Sequence, residues 1–202
     1  MTDIQERWKK AQEEERKHHT GSLEQGINAY RHTYDEYFRY TGTNRYQTGK
    51  TIIEIGCADV PALYYCGGFL RGIVVEPMPS DILIELAHST DPNLEIIKAP
   101  AEHIDFPLCD EIWLYNVLQH VIDPDVIINK AKDSAKIIRF FEPINDHIDV
   151  CHLHSFTLEY FKGHFGDCVN HYEDHKGRVQ GFHEHECAYG AWINPKYLQD
   201  GL

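Results

Sequence analysis

The feature that most constrains the fold of this chain is a series of short runs rich in β-branched residues. The runs occupy residues 51–55, 72–76, 94–97, 111–115 and 136–141. Helical patterns separate them at the spacing of successive βα units, and one of these patterns covers residues 125–133. Strands that alternate with helices form parallel sheets, so we expect an α/β fold with five such strands.

Two further strand candidates lie near the C-terminal end. A helical pattern over residues 157–164 ends at Gly166. Runs at 167–173 and 183–193 then flank the turn-like pair Lys176-Gly177. A hairpin of these two runs would close the sheet with antiparallel strands.

The first 20 residues predict a surface helix. Ile4, Trp8 and Ala11 form a narrow apolar stripe among charged residues, and the acidic run 13–15 is expected to face water. The stripe is narrow enough that we expect this helix to dock weakly on the rest of the molecule.

A second helical pattern carries an aromatic face that ends near Gly42. This face consists of Tyr30, Tyr34, Tyr37 and Phe38. We expect it to pack against the main domain, and it is also placed to serve as a lid over a ligand. The chain therefore divides into an N-terminal helical cap or lid, residues 1–48, and an α/β domain, residues 49–202.

Charge and cysteine content restrict the partners and the compartment. The 202 residues carry a formal net charge of −13, so a polynucleotide would meet like charge over much of the surface. The first ten residues lack the apolar region of a secretory signal, and no run reaches the roughly 18 apolar residues of a membrane span. Six scattered cysteines without a CxxC pair favour reduced thiols. We therefore expect a cytoplasmic protein, with neither nucleic acid nor membrane as its partner.

The turn after the first strand is where an open α/β sheet binds its ligand. Gly56 permits a sharp bend with close backbone approach, and Pro61 suits the first turn of a following helix. Glu76 ends the second strand about 20 residues further on, where a carboxylate accepts hydrogen bonds from both ribose hydroxyls. This spacing predicts a nucleoside site.

The residues of the same turn distinguish between nucleoside cofactors. A dinucleotide needs further glycines beside its pyrophosphate, but Ala58 and Val60 stand in those positions. The carboxylate of Asp59 would also repel the phosphates. S-adenosylmethionine has no phosphate, and its sulfonium and ammonium groups are cations that Glu54 and Asp59 attract. The turn therefore favours S-adenosylmethionine over NAD.

Several segments resemble the class I S-adenosylmethionine-dependent methyltransferases across about residues 48–194. Residues 54–58 (Glu-Ile-Gly-Cys-Ala) are similar to the family's Glu-x-Gly-x-Gly motif, and residues 75–78 (Val-Glu-Pro-Met) to its ribose-binding strand end. Residues 98–102 stand where the family contacts adenine. The most specific match is 115–121 (Tyr-Asn-Val-Leu-Gln-His-Val), which resembles the family's Asn-x-Leu-Glu-His-Val segment after the fourth strand.

The resemblance implies a Rossmann-like, mostly parallel seven-stranded sheet with a C-terminal antiparallel hairpin and helices on both faces. The cofactor-binding residues expected from the turn and from the resemblance are Glu54, Gly56, Cys57, Ala58, Asp59, Glu76, Pro77, Met78, Ala101, Glu102, Asn116 and Val117. Ala58 replaces the family's second glycine, which is harmless only if its φ is negative. Pro100 replaces an Asp that often binds adenine, so Glu102, or the backbone of 101–102, must take that role.

Methyl transfer is an in-line displacement, so the protein must align the acceptor and exclude water. A hydroxyl acceptor also needs a base, and His120, His152 and His154 follow the fourth and fifth strands on the expected acceptor side. These are the candidate catalytic residues, with a structural role as the alternative for each. Because a single small domain offers no module for a polymer, we expect transfer to O or N of a small-molecule or sugar-like acceptor.

Two other functions stay open: an NAD-dependent oxidoreductase, and a non-catalytic nucleoside- or metal-binding module, such as a degenerate methyltransferase. The candidate metal ligands are His183, His185 and Cys187 in the last strand, and Cys151, His152 and His154 before the last helix. Neither set has the spacing of a zinc site, so we expect a solvated strand face and no metal.

Overall fold

The computed structural model describes residues 3–18, 23–89, 92–174 and 185–200, which form one sheet with helices around it. The described helices are α1 (Asp3–His18), α2 (Leu23–Thr41), α3 (Asp81–Ser89), α4 (Pro124–Ser134) and α5 (Leu158–Phe165). The strands are β1 (Thr51–Ile55), β2 (Arg71–Val75), β3 (Leu94–Ile97), β4 (Cys109–Tyr115), β5 (Ala135–Ile144), β6 (Asn170–Asp174) and β7 (His185–Ile193).

The seven strands lie in the order β3-β2-β1-β4-β5-β7-β6. Strands β1 to β5 pair in parallel, and β7 runs antiparallel to both β5 and β6. The expected mostly parallel sheet with a C-terminal antiparallel pair is therefore confirmed. Because β2 and β4 lie on opposite sides of β1, the strand order reverses there, and a crevice opens beyond the carboxyl ends of these strands.

The strands differ from the sequence expectation mainly at their ends. The expected bounds of β1 and β3 are confirmed, β2 and β4 begin one and two residues earlier, and β5 extends to Ile144 rather than 141. The extension forms because β7 continues to pair with it, as far as Ile144 opposite Glu186. The expected turn residues Lys176 and Gly177, and the candidate ligand His183, lie outside the described residues.

Alternate residues of each central strand enter two different cores. Trp113 and Phe141 point to the face covered by α2, where they join Phe38. Ile112 and Phe140 point to the opposite face, which α4 and α5 cover. Strands buried on both sides explain the near-continuous apolar runs of the sequence, and the expectation of helices on both faces is confirmed.

The crossover from β1 to β2 departs from the regular βα pattern. It contains only a 3-10 helix at Ala62–Tyr65 after Pro61, not the α-helix that the sequence suggested. Its far end is held by the segment before β1, since the backbone N–H of Gln47 donates to the Gly67 carbonyl at 2.9 Å. The sheet face left uncovered is filled by α2, which confirms that its aromatic residues pack on the main sheet.

All six cysteines are free thiols, as expected from their spacing. None of the helices in the described part of the chain has both the length and the apolar character needed to cross a membrane.

Candidate functional site

A cavity of about 830 Å³ opens at the carboxyl ends of β1, β2 and β4. One wall is formed by the loops that follow these strands, and the other by α1 and α2. Of the twelve expected cofactor residues, eleven line this cavity, and Glu54 is the exception. Three residues from separate loops, Asp59, Glu76 and Asn116, are thus brought to one space.

The turn after β1 requires a glycine at position 56. Gly56 has φ +64°, and a Cβ atom there would overlap the side chain of Val117. Its backbone N–H donates to the Val75 carbonyl at 2.9 Å, which joins the turn to the end of β2. The close contact with Val117 brings the loops after β1 and β4 together at the cavity.

Ala58 does not have the negative φ that would make the replacement of the motif's second glycine harmless. Its φ is +52°, so an L-residue occupies the left-handed region, at a cost of about 1–2 kcal/mol. The turn is held in this shape from α2, because the Tyr34 hydroxyl donates to the Val60 carbonyl at 2.9 Å. The backbone thus keeps the glycine-like path of the motif although the residue is alanine.

Glu54 supports the turn from below instead of lining the cavity. The side chain is buried, and its two oxygens accept hydrogen bonds from the backbone N–H groups of Ala62 (2.7 Å) and Leu63 (2.9 Å). Burial raises the pKa of Glu54 to about 8, although these two hydrogen bonds act in the opposite direction. The geometry makes Glu54 a positioning residue for the turn.

Asp59 and Glu76 line the cavity from the loops that follow the neighbouring strands β1 and β2. Glu76 also accepts a hydrogen bond from the Met78 N–H at 3.0 Å, which fixes the bend that brings Pro77 and Met78 to the wall. Burial raises the pKa of the Cys57 thiol well above its usual value, and the nearby carboxylates raise it further. Cys57 is therefore a neutral wall residue.

Glu102, one of the candidate adenine contacts, links two loops at the cavity. The Glu102 carboxylate accepts hydrogen bonds from the backbone N–H groups of Ile122 (2.6 Å) and Asp123 (3.0 Å), which tie the loop after β3 to the loop after β4. The carboxylate is thus already engaged. The Glu102 carbonyl is engaged as well, since it accepts a hydrogen bond from the Lys130 ammonium at 2.6 Å.

A residue that the sequence did not single out, Glu142, holds the loop after β4. It is fully buried in β5 and accepts hydrogen bonds at 3.1 Å from the backbone N–H groups of Val117 and Leu118. Burial raises its pKa to about 8. Asn116, just before these residues, has φ +55°, so the chain bends sharply at the cavity edge.

His120 is the one candidate catalytic histidine that lines the cavity. Its Nδ1 lies 3.2 Å from the Cys151 carbonyl, and because a carbonyl only accepts, Nδ1 carries the proton. Its Nε2 therefore has a lone pair, which accepts a hydrogen bond from the Gln119 amide at 3.2 Å. Burial lowers the pKa of His120 and favours the neutral ring.

The other two histidines serve the surrounding loops. His152 lies beside His120, with 4.9 Å between ring centres, and is held by Asp149 at 3.1 Å. His154 donates from Nε2 to the Val121 carbonyl at 2.9 Å. Neither residue lines the cavity.

The helix α1 contributes a wall that the sequence analysis did not anticipate. Trp8, Gln12, Glu15 and Arg16 line the cavity, so part of the acidic run expected to face only water faces the site instead. The positions 8, 12 and 15 follow helical spacing, but the polarity of Gln12 and Glu15 concealed the face that they share with Trp8. Ala11, a member of the expected apolar stripe, is 1% exposed.

Among the described residues, no three His, Cys, Asp or Glu side chains come together as metal ligands. Strand β7 contains His185 and Cys187, and the latter is fully buried in the core. The expectation of a solvated strand face is therefore wrong at Cys187, because its side chain is packed in the core beside β5 and β6.

No protein-family model matches the sequence, and neither does any curated protein. Solved structures do match the fold. The N-methyltransferase NodS from Bradyrhizobium japonicum WM9, in complex with S-adenosyl-L-homocysteine, superposes with a TM-score of 0.68 at 13% identity, over 92% of this chain and 99% of that one.

Two other solved structures show the range of proteins with this fold. The Burkholderia thailandensis 1,6-didemethyltoxoflavin-N1-methyltransferase, with S-adenosylhomocysteine bound, gives a TM-score of 0.57 at 12% identity, over 82% of this chain and 78% of that one. The cyclase SpnF gives 0.58 at 11% identity, over 78% of each chain. The chain thus has the Rossmann-like fold of class I methyltransferases, a fold that also occurs in a cyclase.

Proposed function

We propose that this chain is an S-adenosylmethionine-dependent methyltransferase that acts on oxygen or nitrogen of a small-molecule acceptor. The observation that carries the proposal is the convergence of Gly56, Asp59 and Glu76 on one cavity at the reversal point of the sheet. The cofactor-bound state of two methyltransferases with the same fold supports it.

The residues present fit this cofactor. The glycine turn allows close backbone approach, Glu76 can accept from the ribose hydroxyls, and Asp59 has the charge that attracts the cationic methionine end. Among the described residues that line the cavity there is no lysine and a single arginine, Arg16 of α1, so pyrophosphate would meet carboxylates at the turn. When bound, S-adenosylmethionine would supply a methyl carbon activated by a sulfonium.

The protein's own part in the reaction is to orient the acceptor and remove its proton. His120 would take this proton on Nε2 as the acceptor receives the methyl group. To do so the acceptor replaces the Gln119 amide at that nitrogen. The α1 and α2 wall limits the access of water to the reacting atoms.

The test is calorimetric titration of the purified chain with S-adenosylhomocysteine and, separately, with NAD. We expect binding of the former only, followed by transfer of labelled methyl groups in a metabolite screen. Binding of NAD alone would contradict the proposal. Tight S-adenosylhomocysteine binding without transfer to any acceptor would favour a non-catalytic module or another reaction, as the cyclase neighbour illustrates.

Variants at the turn make the test specific. Glu76→Ala and Asp59→Ala should each weaken S-adenosylhomocysteine binding by at least about tenfold, since each removes a charge-assisted contact worth about 1.5–3 kcal/mol. Glu95→Ala is the matched control, because this carboxylate pairs with Arg71 on the exposed sheet edge. Unchanged affinity in both cavity variants would remove these residues from the cofactor site.

A further inference from the structure

The half of the cavity opposite the sheet has walls that restrict the acceptor. Trp8 of α1 and Tyr30 and Tyr37 of α2 present aromatic side chains there. Glu15 lies beside them and receives a hydrogen bond from the Cys151 thiol, whose pKa is raised to about 12. An aromatic wall with a carboxylate at its edge is suited to an apolar body that carries a positive charge.

The carboxylate of Glu15 is close to the candidate base. Its Oε2 lies 3.9 Å from Nδ1 of His120, and its side chain is 36% exposed, so it remains reachable from the cavity. The pKa of Tyr30 is raised by burial and by the Asp59 and Glu15 carboxylates, so the Tyr30 hydroxyl stays neutral between them. Glu15, Tyr30 and His120 all line the same cavity.

The charge of the whole cavity also favours a positively charged acceptor. The lining side chains with charge are five carboxylates and one guanidinium, at Glu15, Asp59, Glu76, Asp81, Glu102 and Arg16. S-adenosylmethionine brings two positive groups and one carboxylate, so the loaded cavity would keep a negative excess. A phosphorylated or carboxylate-bearing acceptor would be repelled, and a cation attracted.

We propose that the acceptor is an organic ammonium whose apolar body lies against Trp8 and Tyr30 and whose nitrogen lies at Nε2 of His120, attracted by the Glu15 carboxylate beside Nδ1 of the same ring. This inference rests on the proposed function and narrows it to N-methylation. The ammonium first loses one proton to Nε2 of His120. The free lone pair then forms the N–C bond, the C–S electrons stay on sulfur, and the methylated nitrogen carries the positive charge.

Matched sets of compounds test this directly. Phenethylamine, 2-phenylethanol and phenylacetate share one aromatic body, as do tryptamine, tryptophol and indole-3-acetate. Each is titrated into the chain saturated with S-adenosylhomocysteine. We expect each amine to bind at least about tenfold more tightly than its alcohol, and each acid more weakly still.

Glu15→Gln should bring the amines to within about threefold of their alcohols while S-adenosylhomocysteine affinity stays unchanged. Glu13→Gln, the same change on an exposed position of α1, should retain the preference for amines. Circular dichroism confirms that both variants are folded.

Three results would overturn the inference: equal binding of amine and alcohol, preferred binding of an acid, or no binding of either amine to a chain that binds S-adenosylhomocysteine. Persistence of the full amine preference in Glu15→Gln would exclude Glu15 as its source and equally overturn it. Failure to bind S-adenosylhomocysteine would instead contradict the proposed function, so the two failures are distinct.

Discussion

The side chain of Val117 fills the space in which a Cβ atom on Gly56 would lie. The loops after β1 and β4 are therefore in direct contact at the cavity, although 60 residues of chain separate them. Since Glu142 holds the backbone N–H of Val117, one buried carboxylate of β5 supports the contact between both loops.

Gly56→Ala should abolish measurable S-adenosylhomocysteine binding and destabilise the fold by more than about 2 kcal/mol. The added methyl group meets Val117, and φ +64° is unfavourable for an L-residue. Calorimetry and urea unfolding measure the two effects. Gly163→Ala is the control, because nothing lies within 4 Å of a Cβ atom there, and wild-type-like binding by Gly56→Ala would show that the turn does not contact cofactor.

Ala58→Gly should raise the free energy of unfolding, whereas Gly56→Ala lowers it. Glycine relieves the left-handed strain at φ +52°, so the free energy of unfolding should rise by up to about 1 kcal/mol while cofactor affinity is retained. Urea denaturation at constant pH measures this change. A loss of stability would mean that the methyl group of Ala58 contributes packing greater than its backbone cost.

The rate of methyl transfer should depend on His120 in its neutral form. Because burial lowers the pKa of His120, kcat/KM should fall only when the pH drops below the usual histidine value of about 6.5, and should be level above it. His120→Ala should lower turnover by about 100-fold or more and remove this acid limb, with cofactor affinity retained. Turnover equal to wild type would assign His120 a structural role.

Stability should fall as the pH rises from about 5 to about 8. In this range the folded chain keeps the protons of Glu54 and Glu142, whose pKa values are about 8, while the unfolded chain releases them. The unfolded state thus binds fewer protons, and the free energy of unfolding decreases by up to about 1.4 kcal/mol per pH unit for each group.

Glu142→Gln isolates one of these two contributions. We expect its free energy of unfolding, measured in urea at several pH values, to depend less steeply on pH than that of wild type. The difference between the two curves cancels the other titrating groups. Parallel curves would indicate that Glu142 has the same proton occupancy in the folded and unfolded chain.

Phe38→Ala should reveal that α2 belongs to the core. Phe38 is 4% exposed and contacts Trp113, with 5.7 Å between ring centres, so the substitution should cost about 3–5 kcal/mol. Arg39→Ala, whose side chain is 71% exposed, should change stability by less than about 0.5 kcal/mol. Similar melting temperatures for both variants would indicate that residues 1–48 contribute little to the stability of the sheet domain.

The parallel sheet was predictable because its signal is local. Buried strands such as β1 are short apolar runs, and a glycine turn followed by an acid after the next strand marks the ligand edge. The same local signals led to Asp59 and Glu76, and both line the cavity.

What the sequence could not show depends on contacts between distant segments. The turn that contains Ala58 is held by a hydrogen bond from Tyr34 to the Val60 carbonyl, and Glu54 accepts hydrogen bonds from N–H groups of the 3-10 helix. Nothing near Glu142 in the sequence indicates that it holds Val117, and the polar spacing of Glu15 resembles that of any solvated helix.

The use of α2 in place of a crossover helix has a consequence for synthesis. This helix leaves the ribosome before every strand that it covers, and one of its contacts, from Arg139 to the Thr41 carbonyl, spans 98 residues. Its aromatic face must therefore remain without its native cover while about a hundred further residues are translated. Chaperone binding to nascent chains should accordingly concentrate on this helix and end only once β7, which also contacts it through Tyr189, has emerged.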